Sequence, residues 1–356
     1  MSNHYLICGI LQIGIGVTDA YKSWASYRKF FGVDVPILDD KAIASLMTPY
    51  TGGEARKRHA VMAFNMQGGG GGFEVWQFVD NKPQAPQHQP KLGDFGVFAA
   101  KVKCYDIEQT LDYFREKGMK QLPDTISQLP NGDKVFYVKD DLGNVFQLVE
   151  ATQWFGKGNK PTGGIYGALL GVSNIEKSLK LYQEILGYDQ IIYDKSGSFD
   201  DLNSLAGGNG TFRRVLLGHS TARKGAFSRV LGHTQLELFQ ALDREPVKIF
   251  KNRFWGDLGF IHVCFEVAHM DALKATCAEH GFPFTVDSAN SFDMGDAAGR
   301  FSYIEDPDGT LIEFVETYRI TIIKKLRFFF NLRKRDLSKP LPDWMFKAMN
   351  LNKKKD

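Results

Sequence analysis

Two similarly patterned phrases in the chain differ at a position where the difference is chemical. Residues 136–150 read FYVKDDLGNVFQLVE and residues 302–316 read SYIEDPDGTLIEFVE, and they align without a gap. Gln147 of the first copy stands where Glu313 stands in the second. A carboxylate can hold a divalent cation or accept a proton, whereas a neutral amide is a weak ligand for transition metals. In LIEFVE, alternation puts Leu311, Glu313 and Val315 on one strand face and Ile312, Phe314 and Glu316 on the other. An imidazole, His262, sits in a second apolar run, HVCFEV. By itself such a histidine reads either as a satisfied core residue or as a ligand.

The elements that must position these groups come from a wider repeat. Residues 14–34 align with 169–189: a short apolar strand, a cap-like Asp19 or Asn174, an amphipathic helix, and a closing Gly32 or Gly187. Residues 97–118 match 262–281 with a helix two residues shorter, ending at Gly118 or Gly281. More strand-like runs with period-two alternation follow each strand–helix pair. The chain therefore reads as four units of strand, helix and about three strands. Units one and two fill residues 9–152, and units three and four fill 163–317. The Gly-, Lys- and Pro-rich WFGKGNKPTGG between them reads as a linker. The glycine run 68–72 is followed by neither Lys-Ser/Thr nor a helix start, so it is no phosphate loop. It reads as a mobile hairpin loop, a lid over a groove.

Composition is that of a soluble globular protein: 356 residues, 43% hydrophobic and 24% charged. The net charge of +3 is uneven, because residues 317–356 hold twelve Lys/Arg against three Asp/Glu. Cys8, Cys104, Cys264 and Cys277 show no CxxC pairing and read as buried free thiols in a reducing cytoplasm. No leader and no membrane-spanning run is expected. In the tail, 318–356, Ile322, Ile323, Leu326, Phe329 and Phe330 recur at helical spacing, flanked by Lys324, Lys325 and Arg327. The expectation is a basic amphipathic helix that packs its apolar stripe on the body, in preference to a membrane surface. KPLPDWMFKAMN then reads as a docked strap anchored by Trp344 and Met345. No motif supports sequence-specific nucleic-acid binding.

A βαβββ unit used in pairs, with GFIHVCFEV (259–267) and YIEDPDGTLIEFVE (303–316), resembles the vicinal oxygen chelate superfamily of glyoxalases, bleomycin-resistance proteins and extradiol dioxygenases. The resemblance spans about residues 9–317. It implies an α+β fold of two tandem half-open eight-stranded barrels, one from 9–152 and one from 163–317, with a basic helical tail. It also implies ligands from the first and last strands of each unit. Carried over, the second pair of units offers Gly167, Glu237, His262 and Glu313, and the first offers Gln12, Glu74, Val97 and Gln147. The implied metal site is Glu237, His262 and Glu313, with Glu313 as general base and Gln12, Glu74 and Gln147 as a degenerate site. Tyr303 and Phe239 are implied pocket walls, with Trp76 beside them.

Two carboxylates and an imidazole suit one divalent ion (Zn, Mn, Fe, Ni, Co or Mg), which polarises a substrate oxygen. The expected function is a glyoxalase-like lyase or isomerase working on a small oxygenated molecule through a metal-stabilised enediolate. One alternative is a metal-free small-molecule binding protein of the resistance type; another is an extradiol-type dioxygenase. Gly167 stands where the extradiol members carry a second histidine. Gly16 and Gly171 stand where glutathione-using members carry an arginine.

Overall fold

The computed structural model describes residues 4–123, 125–289, 292–293 and 297–354. Unit one is β1 (Leu6–Gly16), α1 (Ala20–Phe31), β2 (Val35–Ile43), β3 (Lys57–Phe64) and β4 (Gly72–Phe78). Unit two is β5 (Gly96–Cys104), α2 (Ile107–Lys117), β6 (Lys120–Gln121), β7 (Ser127–Gln128), β8 (Lys134–Lys139) and β9 (Val145–Glu150). Unit three is β10 (Thr162–Gly171), α3 (Ile175–Leu179), β11 (Gln190–Gly197), β12 (Phe212–Gly218), α4 (Ser228–Leu231) and β13 (Gln235–Ala241). Unit four is β14 (Gly259–Ala268), α5 (Met270–Glu279), β15 (Val286–Asp287), β16 (Phe292–Asp293), β17 (Ala297–Glu305) and β18 (Leu311–Ile323). The tail adds β19 (Phe328–Asn331) and α6 (Asp343–Met349).

The helices form where the repeat places them. Asp19 caps α1 by accepting from Lys22 N at 2.9 Å, and Asn174 caps α3 by accepting from Lys177 N at 2.9 Å. Helix α1 buries Ala20, Trp24, Tyr27, Phe30 and Phe31, a three-to-four spacing that gives it one apolar face.

The units pair differently from the expected neighbours. One sheet runs β15-β17-β18-β14-β1-β4-β3-β2, and the other runs β11-β12-β13-β10-β5-β9-β8-β6. First strands meet antiparallel, β1 with β14 and β5 with β10. Unit one therefore joins unit four, and unit two joins unit three, so neither 9–152 nor 163–317 closes a barrel on itself. The linker explains the inner pairing: it folds back on the end of β5. Trp154 stacks on Tyr105 with ring centroids 3.5 Å apart, and Tyr105 OH donates to Gly156 O at 2.5 Å. The chain reverses there, so β10 is laid against β5 as in a wide hairpin.

One core runs through both sheets. Ile13, Val75, Val263 and Ile312 of the first sheet and Ala100, Leu148, Leu170 and Leu238 of the second share it with the helices. These positions alternate along each strand with the residues of the barrel interiors. The four cysteines are buried free thiols.

The glycine run 68–72 is not an exposed lid. It is buried where the two sheets approach, with Gly71 bridged to Ile165. A Cβ on Gly70, whose φ is +108°, would lie 2.9 Å from the Gly164 carbonyl carbon. Backbone-to-backbone contact of this kind is what glycine permits.

The tail also departs from expectation. Residues 318–323 continue β18, and β19 turns back to pair with it. The β-branched run in YRITII favours a strand, and its period-two pattern buries Ile320 and Ile322. Helix α6 does dock, through Met345, Phe346 and Met349, but Trp344 is 54% exposed and anchors nothing. Residues 355–356 of the predicted tail lie outside the described residues. Among the described residues, no helix is long and apolar enough to cross a membrane.

Buried Glu266 of β14 ties the tail strand to the barrel, accepting from Thr317 N at 3.2 Å and Thr317 Oγ1 at 2.8 Å. Burial pushes its carboxyl from the usual 4.5 up to about 8, against those hydrogen bonds. The folded state thus holds this proton more tightly than the unfolded chain. The stabilisation is complete below pH 4.5 and is lost as pH rises through about 8. Glu266→Gln is expected to remove that loss. Its Tm should exceed wild type by about 5 °C or more at pH 9, and the gap should vanish at pH 5. Thermal unfolding across that range checks this.

Candidate metal centre

Four adjacent strands, β18, β14, β1 and β4, bring one group each to a common point. β1 supplies Gln12, β4 supplies Glu74, β14 supplies His262 and β18 supplies Glu313. Gly14 is opposite both Glu74 and His262, and Cys264 is opposite Glu313 and Gln12. His262 Nε2 lies 3.0 Å from Glu313 Oε2 and 3.3 Å from Glu74 Oε2. Gln12 Nε2 donates to the same two oxygens, at 3.3 Å to Glu313 and 3.4 Å to Glu74. Glu74, His262 and Glu313 each offer a ligand atom within 4.8 Å of the others, and all three residues are buried.

The donor set fits a divalent cation. Two carboxylates buried together need positive charge between them. The Gln12 Oε1 and both His262 ring nitrogens have no aligned hydrogen-bond partner. The short His262–carboxylate contacts are thus contacts of charge. Amide oxygen and nitrogen are interchangeable by a half-turn of the side chain, which would bring Gln12 Oε1 to where the carboxylates converge. Burial disfavours a charged His262, but the Glu313 and Glu74 carboxylates outweigh it and lift the imidazole to about 9. Burial likewise opposes ionisation of Glu74, and His262 overcomes it and holds the carboxyl low.

Gly14 makes room for the imidazole. A Cβ there would lie 2.3 Å from His262 Cε1 and 2.7 Å from each ring nitrogen. Gly14→Ala is expected to displace the ring and weaken divalent-metal affinity about 10–100-fold, the scale seen when a ligand's orientation is lost. Metal titration with circular dichroism as a fold control reads this.

Tyr303 stands edge-on to His262, with centroids 5.5 Å apart and planes at 84°, and pairs across the strands with Glu313. Burial, then the carboxylates, keep its hydroxyl protonated. Tyr303 and Trp76 line a cavity of about 440 Å³ whose wall includes Gln12, Glu74 and Glu313.

Glu237 does not join this cluster. It lies in the other barrel, where its Oε2 is 2.9 Å from Lys101 Nζ and its Oε1 accepts from Arg214 Nη2 at 2.6 Å and Tyr193 OH at 2.5 Å. Arg214 also bridges to Asp201 at 2.9 Å. Burial opposes the Glu237 carboxylate, yet Arg214 and Lys101 hold it at about 2. Phe239 is there too, packed under the Arg214 guanidinium. Gln147 accompanies them, donating to Tyr137 OH at 2.9 Å.

The strand register corrects the alignment of His262 with Val97. Glu313 is opposite Cys264 and Gln147 is opposite Lys101, so Ala99 occupies the imidazole's place two residues before Lys101. Gln12 and Glu74, expected to form a degenerate site of their own, are half of this four-residue cluster. Their chemistry was visible in the sequence. Their partnership was not, because it depends on which units pair. The repeat did not single out Lys101 and Arg214. The signal available was two cations in otherwise apolar strands, AAKVKC and FRRVLLG.

Residues 168–301 match the family model described as the Glyoxalase/Bleomycin resistance protein/Dioxygenase superfamily. No curated protein sequence matches the chain. Among solved structures, glyoxalase I from Zea mays is similar over 86% of this chain and 92% of its own, with 14% identity and a TM-score of 0.52. A protein of Bacillus subtilis subsp. subtilis str. 168, carrying a provisional dioxygenase name, is similar over 87% of this chain and 86% of its own, with 13% identity and a TM-score of 0.54. At these identities the likeness is one of fold.

Proposed function

We propose that this chain, a member of the vicinal oxygen chelate superfamily, is a divalent-metal-dependent lyase or isomerase of the glyoxalase type. The observation that carries the reading is the convergence of Gln12, Glu74, His262 and Glu313 in one buried cluster, three of whose members, Gln12, Glu74 and Glu313, line the cavity. These four residues would hold the ion. When bound, it would act as a Lewis acid toward a substrate oxygen.

The chain's own groups do the rest. Glu313 and Glu74 reach the cavity and can carry a proton between adjacent carbons of a bound molecule. Glu313 is assigned as the base. Buried Tyr303 and the Trp76–Trp255 pair, with centroids 4.2 Å apart, wall the cluster from water. Exclusion of water strengthens every charge interaction inside. An extradiol-type reaction is disfavoured by the donors present, because the cluster holds one imidazole, with an amide in place of a second. A metal-free binding role draws support from the size of the cavity.

Elemental analysis of the purified full chain tests the reading. About one divalent ion per chain is expected, with a near-complete loss in His262→Ala of unchanged circular dichroism. Wild-type protein that stays metal-free after incubation with each candidate ion would falsify the proposal. Small-molecule binding indifferent to chelator would then select the binding role.

A further inference from the structure

We infer that the molecule handled at this centre is lipophilic: an oxygenated head joined to an alkyl or aryl body, and not a conjugate of a charged peptide. The inference rests on the metal-centre reading and adds the substrate class. The cavity, about 440 Å³, is of a size that holds a drug-sized molecule. Gln12, Glu74 and Glu313 bring the candidate ligands to its wall, and Asp40, Ser45, Arg58 and Thr317 add polar groups elsewhere, Asp40 paired with Arg58 and Thr317 bonded to Glu266. Most of the remaining wall is apolar and includes Phe64, Met66, Phe227, Val230 and Met349. Methionine and phenylalanine adapt to varied apolar shapes and offer nothing to a carboxylate or ammonium group.

Arg58 is the one cation among the described lining residues, and it is already engaged. Its Nη1 lies 2.7 Å from Asp40 Oδ2 and donates to Asp40 O at 2.8 Å, while the guanidinium covers the Trp76 ring at 5.0 Å. A peptide with several carboxylates would therefore enter a cavity without a free positive partner, at a large desolvation cost. A small head is better served. The buried indole N–H of Trp255, a lining residue, has no partner and can donate to its oxygens, while that of Trp76 faces the Glu74 carboxylate.

The tail takes part. Val315 and Ile320 of β18 and Met349 of α6 form one side of the cavity. Two apolar side chains of the basic tail, Ile320 and Met349, are thus cavity wall. Each buried methylene is worth about a factor of four in affinity, so chain length is the variable to test.

The experiment titrates the full-chain protein with 2-hydroxybutanoate, 2-hydroxyoctanoate, 2-hydroxydodecanoate and glutathione, following tryptophan fluorescence. Metal content is measured on the same samples, with and without chelator. Affinity is expected to rise at least about 100-fold from the four-carbon to the twelve-carbon acid, with no saturable response to glutathione. Leu46→Lys, at an exposed lining position outside the four ligand strands, is expected to weaken the twelve-carbon acid more than the four-carbon acid, with metal content unchanged. A flat affinity across the series, or tighter binding of glutathione than of the twelve-carbon acid, overturns the inference. Metal-loaded protein with a flat series sinks the substrate class and spares the metal centre. Metal-free protein with a steep series does the reverse.

Discussion

Glu313→Gln is expected to lower turnover about 10²–10⁴-fold at saturating metal, the range over which a positioned base contributes. The change is isosteric, so cavity shape and strand register should persist. What is lost is the group that takes the proton. Glu74→Gln is the matched control: it also removes a buried carboxylate facing His262, but on β4. Its main effect should be on metal affinity, with a smaller loss of turnover once the ion is supplied in excess. Glu313 is the closer of the two to His262 and is the one paired across the strands with Tyr303. Turnover measured against metal concentration separates the two roles. If Glu74→Gln causes the greater loss at saturating metal, the proton carrier is on β4 and the assignment of Glu313 is wrong.

Lys101→Met is expected to destabilise the fold by about 3–5 kcal/mol, the cost of leaving a buried charge without its partner. Lys101, Arg214 and Glu237 are all fully buried. With Asp201 they form a neutral quartet, two cations against two anions. The Lys101–Glu237 contact at 2.9 Å lacks hydrogen-bond alignment, so it is held by charge. Burial pushes Lys101 down and Glu237 pulls it back only in part. Removing the ammonium leaves Glu237 and Asp201 sharing Arg214. Denaturant unfolding gives the loss. The double variant Lys101→Met/Glu237→Gln should recover part of it, because it restores neutrality, and the cycle measures the coupling. Equal destabilisation in single and double variants would rule out the charge argument. The same quartet predicts one metal per chain: the second barrel already carries its positive charge on side chains.

The unit plan was legible because a duplicated strand–helix pattern leaves a strong period, and the capped helices α1 and α3 follow it. The chemistry at Glu313 and His262 was legible from residue type and strand face. Partnership between units was not, because a repeat defines a building block without stating which copy lies beside which. Glu237 and Glu74 occupy equivalent places in their units, and sequence alone could not decide which faces His262. The pairing of β1 with β14 decides it. The two-residue offset at Val97 came from a gap the chain does not need: Ala99 and His262, the helix starts Ile107 and Met270, and the closing Gly118 and Gly281 are all separated by the same number of residues. The tail misled because a short apolar run fits both periods, and cross-strand pairing with β19 selected the shorter one.

Nested pairing has a temporal consequence. A ribosome releases units two and three consecutively, so the inner barrel can close while synthesis continues. Unit one must wait, its β1 edge unmatched, until the carboxyl-terminal quarter emerges. Long waits of this sort slow folding and leave strand edges exposed. Because Gln12 and Glu74 come from unit one and His262 and Glu313 from unit four, the candidate site can form only after those two units have paired.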